Sequence, residues 1–379
     1  MHIDTRAILA PRTSEFGAVV PPVHLSSTFE LDIDTIDGDY AYQRGSNPSR
    51  GDLESVIANL EEAKHGFAFA TGMAAVSSVL SLLSPGDEVL FSSNVYGGTF
   101  RYVEKIFPRA GLTGTFFDDL GSITSADLSE KTRMIFVETP GNPTLRVVDI
   151  ERLAKLAHEH GALLVIDNTF MTAVLQRPLD MGADLVVQSA TKFLGGHSDL
   201  LAGAVTTNDD DLAENIRLSQ KVFGGVLEPF TSIRLLQAIK TLPLRITRQQ
   251  ENAEKLVAHL REHPGIATVL SAGSFSEHER EIHERQAAGI GAVFSFELAE
   301  GYDLKTFLHA LEIPSFAVSL GGVESLMSIP ATMSHDGMTQ AARERAGITD
   351  TLVRFSVGIE NINDLLADFD QALDAAKNS

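Results

Sequence analysis

The sequence predicts an α/β protein: a mostly parallel sheet covered on both faces, followed by a smaller α+β domain. From residue 67 to about residue 210, short apolar runs alternate with stretches of helical period, as expected of strands joined by crossover helices. After about Leu244 the texture changes to long helices and fewer strands. The chain has 379 residues, 44% hydrophobic and 21% charged, which is globular composition with room for two or three domains.

Residues 1–51 are poorly periodic and rich in turn formers, among them Pro11, Pro21, Pro22, Gly38, Gly45, Asn47 and Pro48. Such a segment has no core of its own and is expected to be an arm wrapping another surface, a second subunit. Asp52 is placed to cap a helix whose apolar positions Leu53, Val56, Ile57 and Leu60 follow i, i+3, i+4, i+7, with Gly66 ending it. Strands are expected at 67–70, 88–91, 113–117, 134–138, 162–167 and 185–187, and helices between them at 72–83, 99–107 and 150–160. A C-terminal α+β domain over 245–379 should follow an α/β domain over 52–244. It should hold helix 245–263, a strand at 292–298, helix 304–311, a strand at 352–357 and helix 362–376.

Acidic residues number 51 against 30 Lys plus Arg, a formal charge of −21. Neutralising phosphates takes clustered cations, so a nucleic-acid partner is excluded, and an anionic membrane surface is disfavoured. The chain has no cysteine, which removes disulfides, a thiolate nucleophile, iron–sulfur clusters and zinc–cysteine sites. No apolar run approaches the ~20 residues of a membrane helix, and the N-terminus lacks a basic-then-apolar order. A cytoplasmic protein is expected, with no membrane partner. No metal site is expected: His158 and His160, spaced i, i+2, point to different faces of their helix.

In parallel sheets ligands bind beyond the carboxyl ends of strands, and four strand ends carry chemistry. Thr71-Gly72-Met73-Ala74-Ala75 opens a helix with small residues whose backbone N–H groups can approach an anion, or is a tight turn. Asp167 closes the apolar run Leu163-Leu164-Val165-Ile166, where a carboxylate needs a cationic partner such as a protonated pyridine nitrogen, or forms a turn with its own loop. Ser189-Ala190-Thr191-Lys192 offers two hydroxyls for a phosphate and an amine for an aldehyde, with Gly195-Gly196-His197 behind it; the alternative is an exposed loop lysine. Arg354, inside Leu352-Val353-Arg354-Phe355, requires an anion: a substrate carboxylate or an internal salt bridge. Together they list what a pyridoxal phosphate (PLP) enzyme requires.

At these residues the sequence resembles the Cys/Met-metabolism (trans-sulfuration) family of PLP-dependent enzymes, which includes cystathionine γ-synthase, β-lyase and γ-lyase and methionine γ-lyase. The resemblance runs from Val20-Pro21-Pro22-Val23-His24 to the Arg354 strand. It rests most on Asp167-Asn168-Thr169-Phe170 and on Ser189-Ala190-Thr191-Lys192 with Gly195-Gly196-His197-Ser198-Asp199. It implies the aspartate-aminotransferase-like fold (fold type I), PLP as cofactor, and a homo-oligomer with dimeric active sites, usually a tetramer. Lys192 looks like the Schiff-base lysine and proton shuttle, Asp167 like the partner of the pyridine nitrogen, and Tyr96 like the catalytic tyrosine that stacks on the ring and helps proton transfer. Gly72, Met73, Ser189 and Thr191 resemble the phosphate cradle, and Tyr42 and Arg44 the pair that crosses to the neighbouring subunit's phosphate. Asn142, Ser319 and Arg354 resemble the ligands of the substrate α-carboxylate.

Two positions bear on the reaction. Gly98 stands where methionine γ-lyases carry cysteine, and Val318 where cystathionine γ-lyases and γ-synthases carry glutamate. Val20 to Thr28 and Pro330 to Met338 look synthase-like. The expected activity is a carbon–sulfur lyase acting on cystathionine or homocysteine-type amino acids, giving ammonia, a 2-oxo acid and a thiol. The alternative is γ-replacement joining cysteine to an O-acylhomoserine, with methionine γ-lyase or a non-catalytic member further behind.

Overall fold

The structure is a computed structural model that describes residues 1–9, 11, 16–34, 36, 38 and 40–377. Its large sheet contains β1 (His65–Phe69), β2 (Glu88–Ser92), β3 (Thr113–Phe117), β4 (Thr132–Glu138), β5 (Leu163–Asp167), β6 (Leu185–Gln188) and β7 (Gly203–Thr207). The strand order is β1-β7-β6-β5-β4-β2-β3. All pairs are parallel except β1–β7 and β6–β7. Strand β5 lies in the middle, which explains its unbroken apolar run. Leu164 and Ile166 face one buried cluster and Val165 the other, so both sides of the strand leave water. Burying each such side chain contributes about 1.5–3 kcal/mol.

Helices α1 (Ile3–Ile8), α2 (Pro48–Glu61), α3 (Gly72–Leu80), α4 (Gly97–Lys105), α5 (Phe107–Ala110), α6 (Ile150–Glu159), α7 (Thr172–Leu175), α8 (Asp210–Phe223) and α9 (Pro229–Ile239) accompany this sheet. The rest of the chain adds α10 (Leu242–Glu262), α11 (Glu277–Gln286), α12 (Leu304–Ala310), α13 (Gln340–Arg345) and α14 (Ile362–Ala376). A second sheet has β8 (Ile266–Leu270), β9 (Val293–Leu298), β10 (Ser315–Phe316), β11 (Leu326–Ser328) and β12 (Val353–Ser356), in the order β10-β11-β12-β9-β8. Phe294, Phe296, Phe307, Phe355 and Phe369 interlock between it and helices α12 and α14. Among the described residues no helix is long and apolar enough to cross a membrane.

The start of α2 corrects the expected cap. Asn47, not Asp52, is the N-cap: its Oδ1 accepts from the N–H groups of Ser49 (3.0 Å) and Arg50 (3.3 Å), and Pro48 takes the first helical position. The helix ends at Glu62, in the left-handed conformation, and Gly66 lies inside β1. The apolar stripe is as expected, with Leu53, Val56, Ile57 and Leu60 each at most 2% exposed. Strand β7, helices α8, α9 and α11, and strand β8 carry no counterpart among the elements expected from the sequence.

Residues 1–47 hold little regular structure among those described. The bridge Thr28–Tyr42 pairs two stretches of this segment. Polar groups of the first turn of α2 fasten it: Ser49 Oγ donates to Pro22 O (3.1 Å) and accepts from His24 N (2.9 Å), and Asn47 Nδ2 donates to His24 O (2.9 Å).

Candidate active site

The carboxyl ends of β4, β5 and β6 open into one cavity of about 470 Å³, closed on its far side by the turn after β10 and by β12. Gly72, Met73, Tyr96, Asp167, Ser189, Thr191 and Lys192 line it from the large-sheet side. Asn142, Val318, Ser319 and Arg354 complete the wall. Of the residues to which the resemblance gives cofactor or substrate roles, Tyr42 and Arg44 lie elsewhere: Tyr42 is 52% exposed, and Arg44 Nη1 donates to Lys221 O at 2.8 Å.

Lys192 follows β6 on a loop locked by glycines. A side chain at Gly196 (φ +65°) would enter the Arg245 guanidinium, and one at Gly321 (φ +79°) would reach Phe193 N at 2.6 Å. Arg245 holds the same loop through the carbonyls of Phe193 (2.7 Å) and Leu194 (3.3 Å). Lys192 Nζ donates to Ser319 Oγ at 2.6 Å. Burial, and then the nearby Arg354 cation, lower the amine to about 8.

Ser319 itself has φ +86°, a conformation serine rarely adopts. That backbone aims its hydroxyl at Lys192 and its carbonyl at Arg354, whose Nη2 donates to it at 2.8 Å. Arg354 Nη1 donates to Asn142 Oδ1 at 3.0 Å. The guanidinium is 3% exposed, and its buried Nε has no partner among the described residues. A desolvated cation with an unused donor suits an anion arriving in the cavity.

Asp167 Oδ1 accepts from Thr169 N (3.0 Å) and Thr169 Oγ1 (2.5 Å). Burial raises its carboxyl to about 6 against those bonds. Its register partner across β4–β5 is Glu138, a residue the sequence reading passed over. Burial and then Asp167 push the Glu138 carboxyl well above its ordinary value. Glu138 Oε2 accepts from Tyr96 N at 2.8 Å and so fixes the turn that presents the tyrosine. The rule that drew attention to Asp167, a carboxylate closing an apolar strand, applies equally to Glu138.

At the start of α3, Thr71 Oγ1 caps Ala74 N (3.0 Å). A Cβ on Gly72 would lie 2.8 Å from Ser189 Oγ, so only glycine lets this helix end meet the Ser189 turn. The Thr191 hydroxyl donates to Ala202 O (3.1 Å) and accepts from Ala202 N (2.9 Å). A side chain at Gly98 would run into the Tyr96 ring. Two further residues were missed by the sequence reading. Arg101 lines the cavity and pairs with Asp336 at 3.3 Å. His335 is fully buried beside Ser334 (2.8 Å), and burial lowers it to about 4, so it is neutral.

These residues fit PLP. The glycine cradle at the start of α3 suits a phosphate, Lys192 suits the aldehyde, and the Asp167 carboxylate suits a protonated ring nitrogen.

The family described as Cys/Met metabolism PLP-dependent enzyme matches residues 4–374. Cystathionine β-lyase MetC of Bacillus subtilis is 44% identical over 94% of this chain and 92% of its own length. Among solved structures, cystathionine γ-lyase from Lactobacillus plantarum in complex with L-serine superposes with TM-score 0.96 at 39% identity, covering 100% of both chains. Cystathionine γ-synthase from Xanthomonas oryzae pv. oryzae in complex with cystathionine superposes with TM-score 0.95 at 37% identity, covering 100% of this chain and 99% of the other.

Proposed function

Because the chain belongs to the Cys/Met-metabolism family of PLP-dependent enzymes, we propose that it is a carbon–sulfur lyase of trans-sulfuration. It cleaves cystathionine-type amino acids to a thiol, ammonia and a 2-oxo acid, in the cytoplasm and as a homotetramer built of dimers. The observation that carries this reading is the convergence in one cavity of Lys192, Asp167 and an Arg354 with an unused donor.

PLP, when bound, supplies an aldehyde that takes up an amine and a ring that draws electrons from the substrate α-carbon. The residues of the chain divide the remaining work. Gly72, Met73, Ser189 and Thr191 hold the phosphate, and Asp167 holds the ring nitrogen's proton. Tyr96, its turn fixed by Glu138, covers the ring. Arg354 binds the substrate α-carboxylate with its fork already oriented by Asn142 and Ser319. Lys192 Nζ, lowered to about 8, is a base close to working pH. It takes the α-proton and returns a proton to the leaving side of the molecule. Val318, 61% exposed at the cavity wall, offers an apolar surface to the far end of the substrate. Tyr42 and Arg44 reach the phosphate of the neighbouring subunit. Exposed apolar residues Leu218, Val222, Phe223 and Phe230 on α8 and α9 support assembly with further copies.

The test begins with purified protein and PLP. A yellow protein whose cofactor becomes fixed to Lys192 by borohydride supports the reading; protein that stays colourless ends it. Incubation with cystathionine then reads the reaction: pyruvate with homocysteine marks β-cleavage, 2-oxobutyrate with cysteine γ-cleavage. The second reading, γ-replacement, is supported by the likeness to a cystathionine γ-synthase. It takes over if cystathionine is untouched but accumulates from O-succinylhomoserine or O-acetylhomoserine plus cysteine.

A further inference from the structure

Among the described residues, Tyr42 and Arg44, carried on one turn, belong to none of the buried apolar clusters. Tyr42 is 52% exposed, and the Arg44 guanidinium lies 5.6 Å from its ring centroid. One side of the turn is held by the Thr28–Tyr42 bridge and by Gln43 N donating to Ser27 O at 2.9 Å. On the other side, Arg44 Nη1 reaches Lys221 O at 2.8 Å, and the Arg50 side chain holds the backbone.

Arg50 is the third residue of α2 and is 1% exposed. Its Nη1 donates to Gln43 O at 2.9 Å and its Nη2 to Gly45 O at 3.0 Å, so the two prongs bracket residue 44. Its Nε stands 3.6 Å from Glu54 Oε1. Glu54 is in turn anchored by Ala68 N of β1 (3.0 Å), by Gln220 Nε2 (3.0 Å) and by Arg217 Nη1 (2.9 Å), both of α8. The Arg50–Glu54 ion pair therefore links the sheet and α8 to the backbone on both sides of Arg44. Burying a guanidinium is costly, and here its two strong donors go to main-chain carbonyls rather than to a carboxylate. Two carbonyls two residues apart match the planar fork of arginine and not the point charge of lysine.

We propose that Arg50 is a positioning residue that holds Tyr42 and Arg44 at the angle needed to grip the cofactor phosphate of the neighbouring subunit. This rests on the reading that the turn crosses between subunits. Arg50 touches neither cofactor nor substrate. Its effect is exerted in trans, on a site whose Lys192 belongs to another copy of the chain.

The test uses Arg50→Lys, and Arg50→Gln if the lysine variant does not fold. PLP binding to apoprotein is followed by absorbance, and cofactor fixed to Lys192 by borohydride is counted by intact-subunit mass. The variant should bind PLP about tenfold more weakly, as for loss of one charge-assisted phosphate contact. Co-assembly with Lys192→Ala then separates the roles. In the hybrid, the only lysine-bearing site belongs to the Arg50→Lys chain and is served by the intact turn of its Lys192→Ala partner, so affinity at that site should return to the unmodified value. Affinity equal to the unmodified protein in the Arg50→Lys homo-oligomer overturns the proposal. So does a hybrid that stays weak while a parallel Arg44→Ala plus Lys192→Ala hybrid recovers, because Arg50 then acts only within its own chain. If neither hybrid recovers, the crossing of the turn is itself wrong, and the proposal falls with it.

Discussion

Replacing Arg354 with lysine separates binding of the substrate carboxylate from every other task of the site. The guanidinium spends one prong on Asn142 Oδ1 (3.0 Å) and one on Ser319 O (2.8 Å), and keeps a buried Nε unused. A lysine ammonium cannot reproduce that fork, and at a position only 3% exposed it also tends to lose its proton. The loss expected is one hydrogen bond between charged groups, about 1.5–3 kcal/mol, or roughly 10- to 150-fold in kcat/KM. The assay compares an amino-acid substrate with the corresponding amine that lacks the α-carboxylate. Arg354→Lys should lower kcat/KM by that factor for the amino acid and leave the poor turnover of the amine nearly unchanged. An equal loss on both would show that Arg354 acts by holding the site together and not by gripping the carboxylate, and the reasoning would be refuted.

Three further outcomes follow from the same geometry. Val318→Glu should shift preference toward cystathionine by placing an anion where its distal amino group arrives; an unchanged substrate ranking removes Val318 from the argument. Gly72→Ala inserts a Cβ 2.8 Å from Ser189 Oγ, and should weaken PLP binding at least about tenfold while the apoprotein keeps its helical content by circular dichroism; undiminished affinity places the phosphate elsewhere. The Lys192 amine titrates at about 8 in the folded chain and at 10.5 when unperturbed. Between those values the unfolded chain binds the extra proton, so apoprotein stability should rise with pH across that window. Denaturant melts of Lys192→Met should lack the rise, and an identical pH profile in both proteins would disprove the lowered value.

Much of the large sheet was legible because a central parallel strand is apolar on both faces, and Leu163 to Asp167 announce themselves without any neighbour. Asp167 was legible because it closes such a run, and Lys192 because Ser189-Ala190-Thr191 leads to it directly after β6. Glu138 carried the same local signal, but its meaning lies in its register with Asp167 and its bond to Tyr96 N, which only the folded sheet creates. The start of α2 was misplaced because Asp52 stands beside the apolar stripe, whereas Asn47 followed by Pro48 is the stronger start signal. Helix α11 has almost no apolar period. It is held by polar bonds, Gln286 to Val148 O (3.0 Å) and Glu279 to Arg146 (2.6 Å), that join residues more than a hundred positions apart. Strand β7 is five residues of glycine, alanine, valine and threonine whose burial comes from the neighbours on either side.

The turn from Val318 to Gly321 has a consequence for how such an enzyme diversifies. Ser319 and Gly321 are confined by positive φ and by contacts with Lys192, Phe193 and Arg354, so they tolerate little change. Val318, one residue from Ser319, lines the cavity and is 61% exposed. Two of the four valine codons become glutamate codons by a single base change. A lineage carrying this turn stands one mutation from a different charge at the mouth of its cavity, with the reacting groups left in place. New substrate preferences can then arise by small genetic steps and be kept or discarded by selection, without an interval in which the catalyst is lost.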